Sequence, residues 1–221
     1  MPAQNKIKGF IFDVDGTLLD SMPMWKELPV NFAKAHGVFL DAETKKKFLT
    51  CTMEEGYVLF EKAGISMNRE EMEKALISFA LEQYRTAIQA KAGAAEVLSS
   101  LAENHQITCA TTSTKEMVEA GLSRNHLLQY VSFIAAADEY HTSKETPVLF
   151  DACAARMSLQ KEECVVVEDT LPALLTAGKY GYHTIGIYDP ASASDQDQIR
   201  KNADMYVLSL LEILNQFRKR G

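Results

Sequence analysis

The stretch Gly9-Phe10-Ile11-Phe12-Asp13-Val14-Asp15-Gly16-Thr17 constrains this chain more than any other. A short run of aromatic and β-branched residues ends abruptly in two carboxylates one residue apart. Such a run, bounded by a turn signal, reads as a buried strand. Asp13 and Asp15 then lie at its carboxyl end, where open α/β sheets bind their ligands. Alternate residues of an extended backbone share a face, so the two aspartates can converge on one reacting centre. Gly16 lets the chain turn sharply behind them. An ordinary acidic turn contains the same Asp-Gly pair, so the meaning of the stretch depends on what accompanies it.

The rest of the chain supplies that company. From residue 21 to about 91 the pattern is helical. Apolar residues recur at helical spacing over Met22–Ala35, with Pro23 suited to a first turn and Pro29 expected to kink or delay the helix. Shorter helices are expected near 42–49 and 54–63, and a long one from Arg69 to about Gln89, opened by an Asn68/Glu71 capping box. From Gly93 strands and helices alternate, with strands expected at 106–110, 131–136, 163–168, 184–188 and 205–208 and a closing helix at 210–218. Alternation of this kind implies right-handed crossovers and a mostly parallel sheet. The 221 residues suit one or two domains. The expected division is a core formed by 1–20 and 92–221 with a helical insertion at 21–91.

Composition narrows the function classes. A formal net charge of −7, spread along the chain, speaks against a nucleic-acid or membrane-surface binder. No apolar run is long enough to span a bilayer, and the polar opening residues carry no signal-peptide pattern. Cys51, Cys109, Cys153 and Cys164 lack metal or redox spacing, which fits reduced thiols and a cytoplasmic location. The five histidines show no metal spacing either.

Three further groups sit at expected strand ends or just after them. Thr111-Thr112-Ser113 offers hydroxyls and amides to an anionic oxygen, or simply caps the next helix. Lys144 lies between a strand and a helix, where a cation would counter a bound phosphate and a nucleophilic carboxylate, although most lysines are merely solvated. Glu168-Asp169 follows a run of valines. Two carboxylates there cost desolvation free energy unless a cation compensates, and Mg²⁺, which shares its shell with substrate phosphates, is a natural partner. Asp169 also suits the N-cap of the following helix.

Taken in order, these groups resemble the motifs of the haloacid dehalogenase (HAD) superfamily, in the branch with a helical cap between its first two motifs. The resemblance spans essentially the whole chain and is similar to the group holding β-phosphoglucomutase and small-metabolite phosphatases. It implies an α/β, Rossmann-like parallel core with an inserted α-helical cap. It also implies a Mg²⁺-dependent phosphatase that hydrolyses a small phosphorylated metabolite through an aspartyl-phosphate intermediate. Asp13 would be the nucleophile and Asp15 the acid and base, its backbone carbonyl also ligating the metal. Thr111 and the Thr112 amide would hold phosphate oxygens, and Lys144 would neutralise charge between phosphate and Asp13. Asp169, with Glu168 beside it, would complete a metal site that includes Asp13.

Departures from the motifs bear on the choice of activity. Glu145 follows Lys144 where the family often has proline, and the fourth motif continues Thr170-Leu171-Pro172. The hexose-phosphate mutases carry a histidine near the position of Trp25 and an arginine near Thr50-Cys51-Thr52-Met53. Neither is present, so phosphatase leads, with a sugar-phosphate mutase and a non-catalytic phosphometabolite-binding protein as alternatives. Asp15 speaks against a dehalogenase proper, which has no use for a second aspartate. Trp25, Met22, Met24 and Met53 would either form an apolar specificity surface or pack within the cap. The sequence leaves the oligomeric state and the substrate open.

Overall fold

The computed structural model describes residues 6–217. Six strands form one parallel sheet in the order β3-β2-β1-β4-β5-β6, where β1 is Gly9–Phe12, β2 Gln106–Thr111, β3 Phe133–Ala136, β4 Cys164–Glu168, β5 His183–Ile187 and β6 Met205–Val207. The chain starts in the middle, builds outward through β2 and β3, then returns to β4 on the other side of β1 and builds outward again. The order therefore reverses at β1, the crevice where doubly wound sheets place their ligands. Every residue of β1 and of β4 is buried, as expected for parallel strands covered on both faces.

Side-chain alternation explains the two layers. Phe10 and Phe12 join Val165 and Val167 in one apolar cluster with α5 (Ala94–Ala102), α6 (Lys115–Arg124) and α11 (Leu211–Phe217). Ile11 and Val166 join the opposite cluster with α8 (Val148–Met157) and α9 (Leu171–Lys179). The closing helix was expected to reach Arg218, which lies outside the described residues. Among these residues no helix is long and apolar enough to cross a membrane, and all four cysteines are free.

Between β1 and α5 run α1 (Met22–Ala35), α2 (Ala42–Phe48), α3 (Met53–Lys62) and α4 (Arg69–Thr86). They carry their own apolar cluster, with Phe32, Phe60, Met72 and Leu76 at its centre. Capping boxes at Thr52/Glu55 and Asn68/Glu71 set the starts of α3 and α4 by satisfying orphan amides at both helix entries. Two expectations are corrected. Helix α1 begins at Met22 and runs through Pro29 without a break. The loss of one amide donor there is outweighed by Leu28, Phe32 and Ala33, which anchor the same helix in the cluster. Helix α4 stops at Thr86, short of Gln89, because the next residues are needed in extended form. Leu19 bridges Ala90 antiparallel, the Asp20 amide donates to the Gln89 carbonyl at 2.9 Å, and the Lys91 amide donates to the Leu18 carbonyl at 2.8 Å. The entering and leaving strands of the insertion are thus tied together.

Two short helices, α7 (Ala137–Tyr140) and α10 (Gln196–Asn202), have no counterpart in the sequence reading. In α10 the sole buried apolar residue is Ile199, too little periodicity to announce a helix.

Candidate active site

Strand β1 positions Asp13. Its amide donates to the Val167 carbonyl at 2.9 Å, extending the ladder one residue past the strand, so the side chain is fixed at the sheet's carboxyl edge. Lys144, buried in the loop after α7, donates to Asp13 Oδ1 and, at 2.8 Å, to Glu168 Oε2. Glu168 ends β4, and its other oxygen accepts from the Thr170 amide at 3.1 Å and the Thr170 hydroxyl at 2.7 Å. Asp169 follows, almost wholly buried, accepting from the Thr17 hydroxyl at 3.3 Å. Gly16 has φ +89°, and a Cβ there would stand 2.5 Å from Asp169 Oδ2. Both the left-handed backbone and the close approach demand glycine.

Asp13, Glu168 and Asp169 each offer an oxygen within 4.8 Å of the others. Burial, then the neighbouring Glu168, hold the Asp13 carboxyl well above the usual carboxylate range, against the pull of Lys144. Burial also raises Asp169, with Asp13 and Glu168 adding to it. For Lys144 burial works to lower the pKa, but Asp13 and Glu168 outweigh it and leave the ammonium firmly charged. One cation thus faces three carboxylates. Asp13 Oδ2 is the only buried side-chain N or O without a hydrogen-bond partner among the described residues. A hard, oxygen-only donor set, excess negative charge and an orphaned carboxylate oxygen fit a divalent cation such as Mg²⁺.

Asp15 has a different environment. Its carboxylate lies outside the acidic cluster and accepts three hydroxyls: Ser21 at 2.6 Å, Ser113 at 2.6 Å, and Tyr84. Trp25 Nε1 donates to the same Tyr84 oxygen at 3.0 Å. Burial, then Asp15, push the Tyr84 phenol above its ordinary range, so it remains a donor. Gly121 on α6 makes the approach possible, since a Cβ there would fall 2.9 Å from the Tyr84 ring. The Asp15 side chain is thus not among the three carboxylates gathered for a cation.

The structure places the other sequence-expected residues unevenly. Thr112, Lys144, Glu168 and Asp169 line one cavity of about 890 Å³ with Asp13 and Asp15, within the range of small-molecule sites. Thr111 is fully buried outside the lining, and its hydroxyl accepts from the Ser113 amide at 3.1 Å. Sequence reasoning missed Ser21 and Tyr84, and took Ser113 only as part of a hydroxyl run. Tyr84 fell on the buried face of α4, and a buried tyrosine hydroxyl needs a partner, but nothing in the sequence says which.

Buried carboxylates gathered beside a cavity at the switch point of the sheet have the layout of an active site. Residues 10–187 match the haloacid dehalogenase-like hydrolase family, and the chain belongs to it. Among its relatives, hexitol phosphatase A of Escherichia coli K12 is 27% identical over 208 residues, covering 94% of each chain. The structure of CbbY from Rhodobacter sphaeroides, solved in complex with phosphate, superposes with a TM-score of 0.76 at 21% identity, covering 94% of this chain and 96% of that one. The HAD-hydrolase YfnB from Bacillus subtilis, solved bound to magnesium, superposes with a TM-score of 0.74 at 16% identity over 96% and 99% of the two chains. These superpositions establish the shared α/β fold.

Proposed function

We propose that the protein is a Mg²⁺-dependent phosphatase that hydrolyses a small phosphorylated metabolite through a phosphoryl group carried on Asp13. The observation that carries the reading is the pairing of two aspartates in opposite environments. Asp13 is buried against Lys144 beside an acidic cluster, while Asp15 is held by hydroxyls at the cavity wall. Such a split in surroundings separates a nucleophile from an acid and base. The curated relative's phosphatase activity supports the same choice.

In the first step a carboxylate oxygen of Asp13 forms a bond to phosphorus as the ester P–O bond breaks, and Asp15 gives its proton to the departing alcohol. In the second, Asp15 takes a proton from water. The water oxygen then bonds to phosphorus and the acyl-phosphate bond breaks, which returns Asp13 and releases inorganic phosphate. Lys144 balances the charge of Asp13 and the phosphoryl oxygens. The Thr112 amide, at the cavity wall, is assigned to a phosphate oxygen, while Thr111, buried behind it, holds the turn by accepting from the Ser113 amide. Asp13, Asp169, the Asp15 carbonyl and Glu168 would hold Mg²⁺, which when bound neutralises the transferring oxygens. Residues 21–91 are assigned as a cap over the core built from the segments on either side of it, hinged at the paired strands near Asp20 and Gln89.

The test is phosphate release from sugar phosphates, nucleotides and an aryl phosphate, with Mg²⁺ and with a chelator. Release that needs Mg²⁺ is expected. Silence across the panel would remove the phosphatase reading.

Tyr84 ties the cap to Asp15, so it is assigned as a positioning residue for the acid. Tyr84→Phe is expected to lower kcat by roughly tenfold to a hundredfold, part of the usual gain from general acid–base catalysis, and to displace the pH–rate profile. A lowered melting temperature with an unmoved profile would make Tyr84 merely structural.

A further inference from the structure

The cavity lining contributed by residues 22–80 is mostly apolar, with Thr52, Tyr57 and Glu73 as its hydroxyl and carboxylate members. Met22, Trp25 and Leu28 come from α1, Met53 from α3, and Leu76 and Ile77 from α4. Met53 and Ile77 are 68% and 40% exposed although large and apolar, so nothing in the fold buries them. The charge of the lining is equally one-sided. Among the described residues Lys144 is its only cation, already shared between Asp13 and Glu168, whereas Glu73, Glu145 and Asp195 add carboxylates away from the acidic cluster. Glu73 enters none of the ion pairs among the described residues.

We propose that the leaving alcohol is apolar, aryl or branched alkyl, in a monophosphate that carries no second anionic group. This rests on the phosphatase reading and deepens it. A sugar or hexitol chain would lay most of its hydroxyls against methionine, leucine and isoleucine, where they lose water, and Thr52, Tyr57 and Glu73 are too few on that side to partner them all. A second phosphate or a carboxylate would meet Glu73, Glu145 and Asp195 with no cation to offset them. Phenyl and isoamyl phosphate instead replace water on surfaces such as Met53 and Ile77. The inference departs from the hexitol substrate that the relative's name gives for that protein.

The experiment measures kcat/KM of the Mg²⁺-loaded protein on phenyl phosphate, isoamyl phosphate, a hexitol 6-phosphate and 2-phosphoglycolate. The first two are expected to exceed the last two by about tenfold or more, the span a few methylenes give in an apolar pocket. In Met53→Gln/Ile77→Gln, whose changed side chains are largely exposed, the ratio of phenyl to hexitol phosphate is expected to fall by about tenfold, chiefly through KM. Equal or better turnover of the hexitol ester, or a ratio unmoved in the double variant, overturns the inference and leaves the phosphatase reading standing. No release from any ester overturns both.

Discussion

Asp13→Asn is expected to abolish phosphate release, by about 10⁴-fold or more as nucleophile replacements do, while the protein stays folded. The two halves of that result have separate causes. Asp15, the other carboxylate after β1, is held away by Ser21, Ser113 and Tyr84, so the lost nucleophile has no substitute. Stability, by contrast, should hold or rise in the metal-free protein, because Asp13 is a buried carboxylate among carboxylates, with one oxygen unpartnered. A carboxyl whose pKa is raised in the folded state prefers its proton there. It therefore weakens the fold as pH climbs from the ordinary carboxylate value near 4 to the folded value of about 7, and adds no further loss above that. Asparagine removes that share of the penalty and loses the attraction to Lys144, which Glu168 still holds. Melts in chelator and in Mg²⁺, beside the phosphate assay, decide the matter. The Mg²⁺-induced rise in melting temperature should shrink in the variant, since one ligand is gone. Retained turnover would dismiss Asp13 as nucleophile, and a collapsed melt would make it a structural residue.

Much of this site was readable in the sequence because strand ends announce themselves. Asp13 and Glu168 each end an apolar run, and a parallel sheet brings the carboxyl ends of neighbouring strands together whatever their separation along the chain. The pairing of β1 with β4 realises this, opposing Phe12 to Val167 just before the acids. What the sequence withheld were contacts made across elements of different periodicity. Tyr84 reaches Asp15 because α4 packs beside α6 at Gly121, a docking that no helical pattern specifies. Thr111 turned inward for a local reason instead: its hydroxyl accepts from the Ser113 amide two residues on. The overestimated end of α4 belongs here too, since propensity favoured helix through Gln89 while pairing with Leu18 and Asp20 required extended chain. Pro29 shows the converse, a strong local signal overridden by tertiary burial of its neighbours.

Lys144→Met is expected to carry the largest stability effect. The lysine side chain is 8% exposed and the Glu168 side chain beside it 1%, so their charges meet with little water between them. Methionine fills comparable space but leaves Asp13, Glu168 and Asp169 facing one another with no cation. Breaking a buried pair by removing one partner costs about 3–5 kcal/mol, which for a chain of this size lowers the melting temperature on the order of 10 °C. The acids can respond by taking up protons, so the loss should be smaller in mildly acidic buffer than in alkaline buffer. Mg²⁺ should restore part of it by supplying positive charge to the same oxygens. Activity should not recover with stability, because the metal cannot also stand where the ammonium bridges Asp13 and Glu168. A kcat loss of roughly a hundredfold to a thousandfold, typical of a lost oxyanion partner, is expected even at saturating Mg²⁺. Arginine is a poor replacement, since its planar fork does not fit a pocket shaped around a point charge. Melts of wild type and variant in chelator and in Mg²⁺, paired with phosphate release, separate these effects. A variant that melts like wild type in chelator would mean the acids are already neutral there, and the role of Lys144 as their counter-charge would fall.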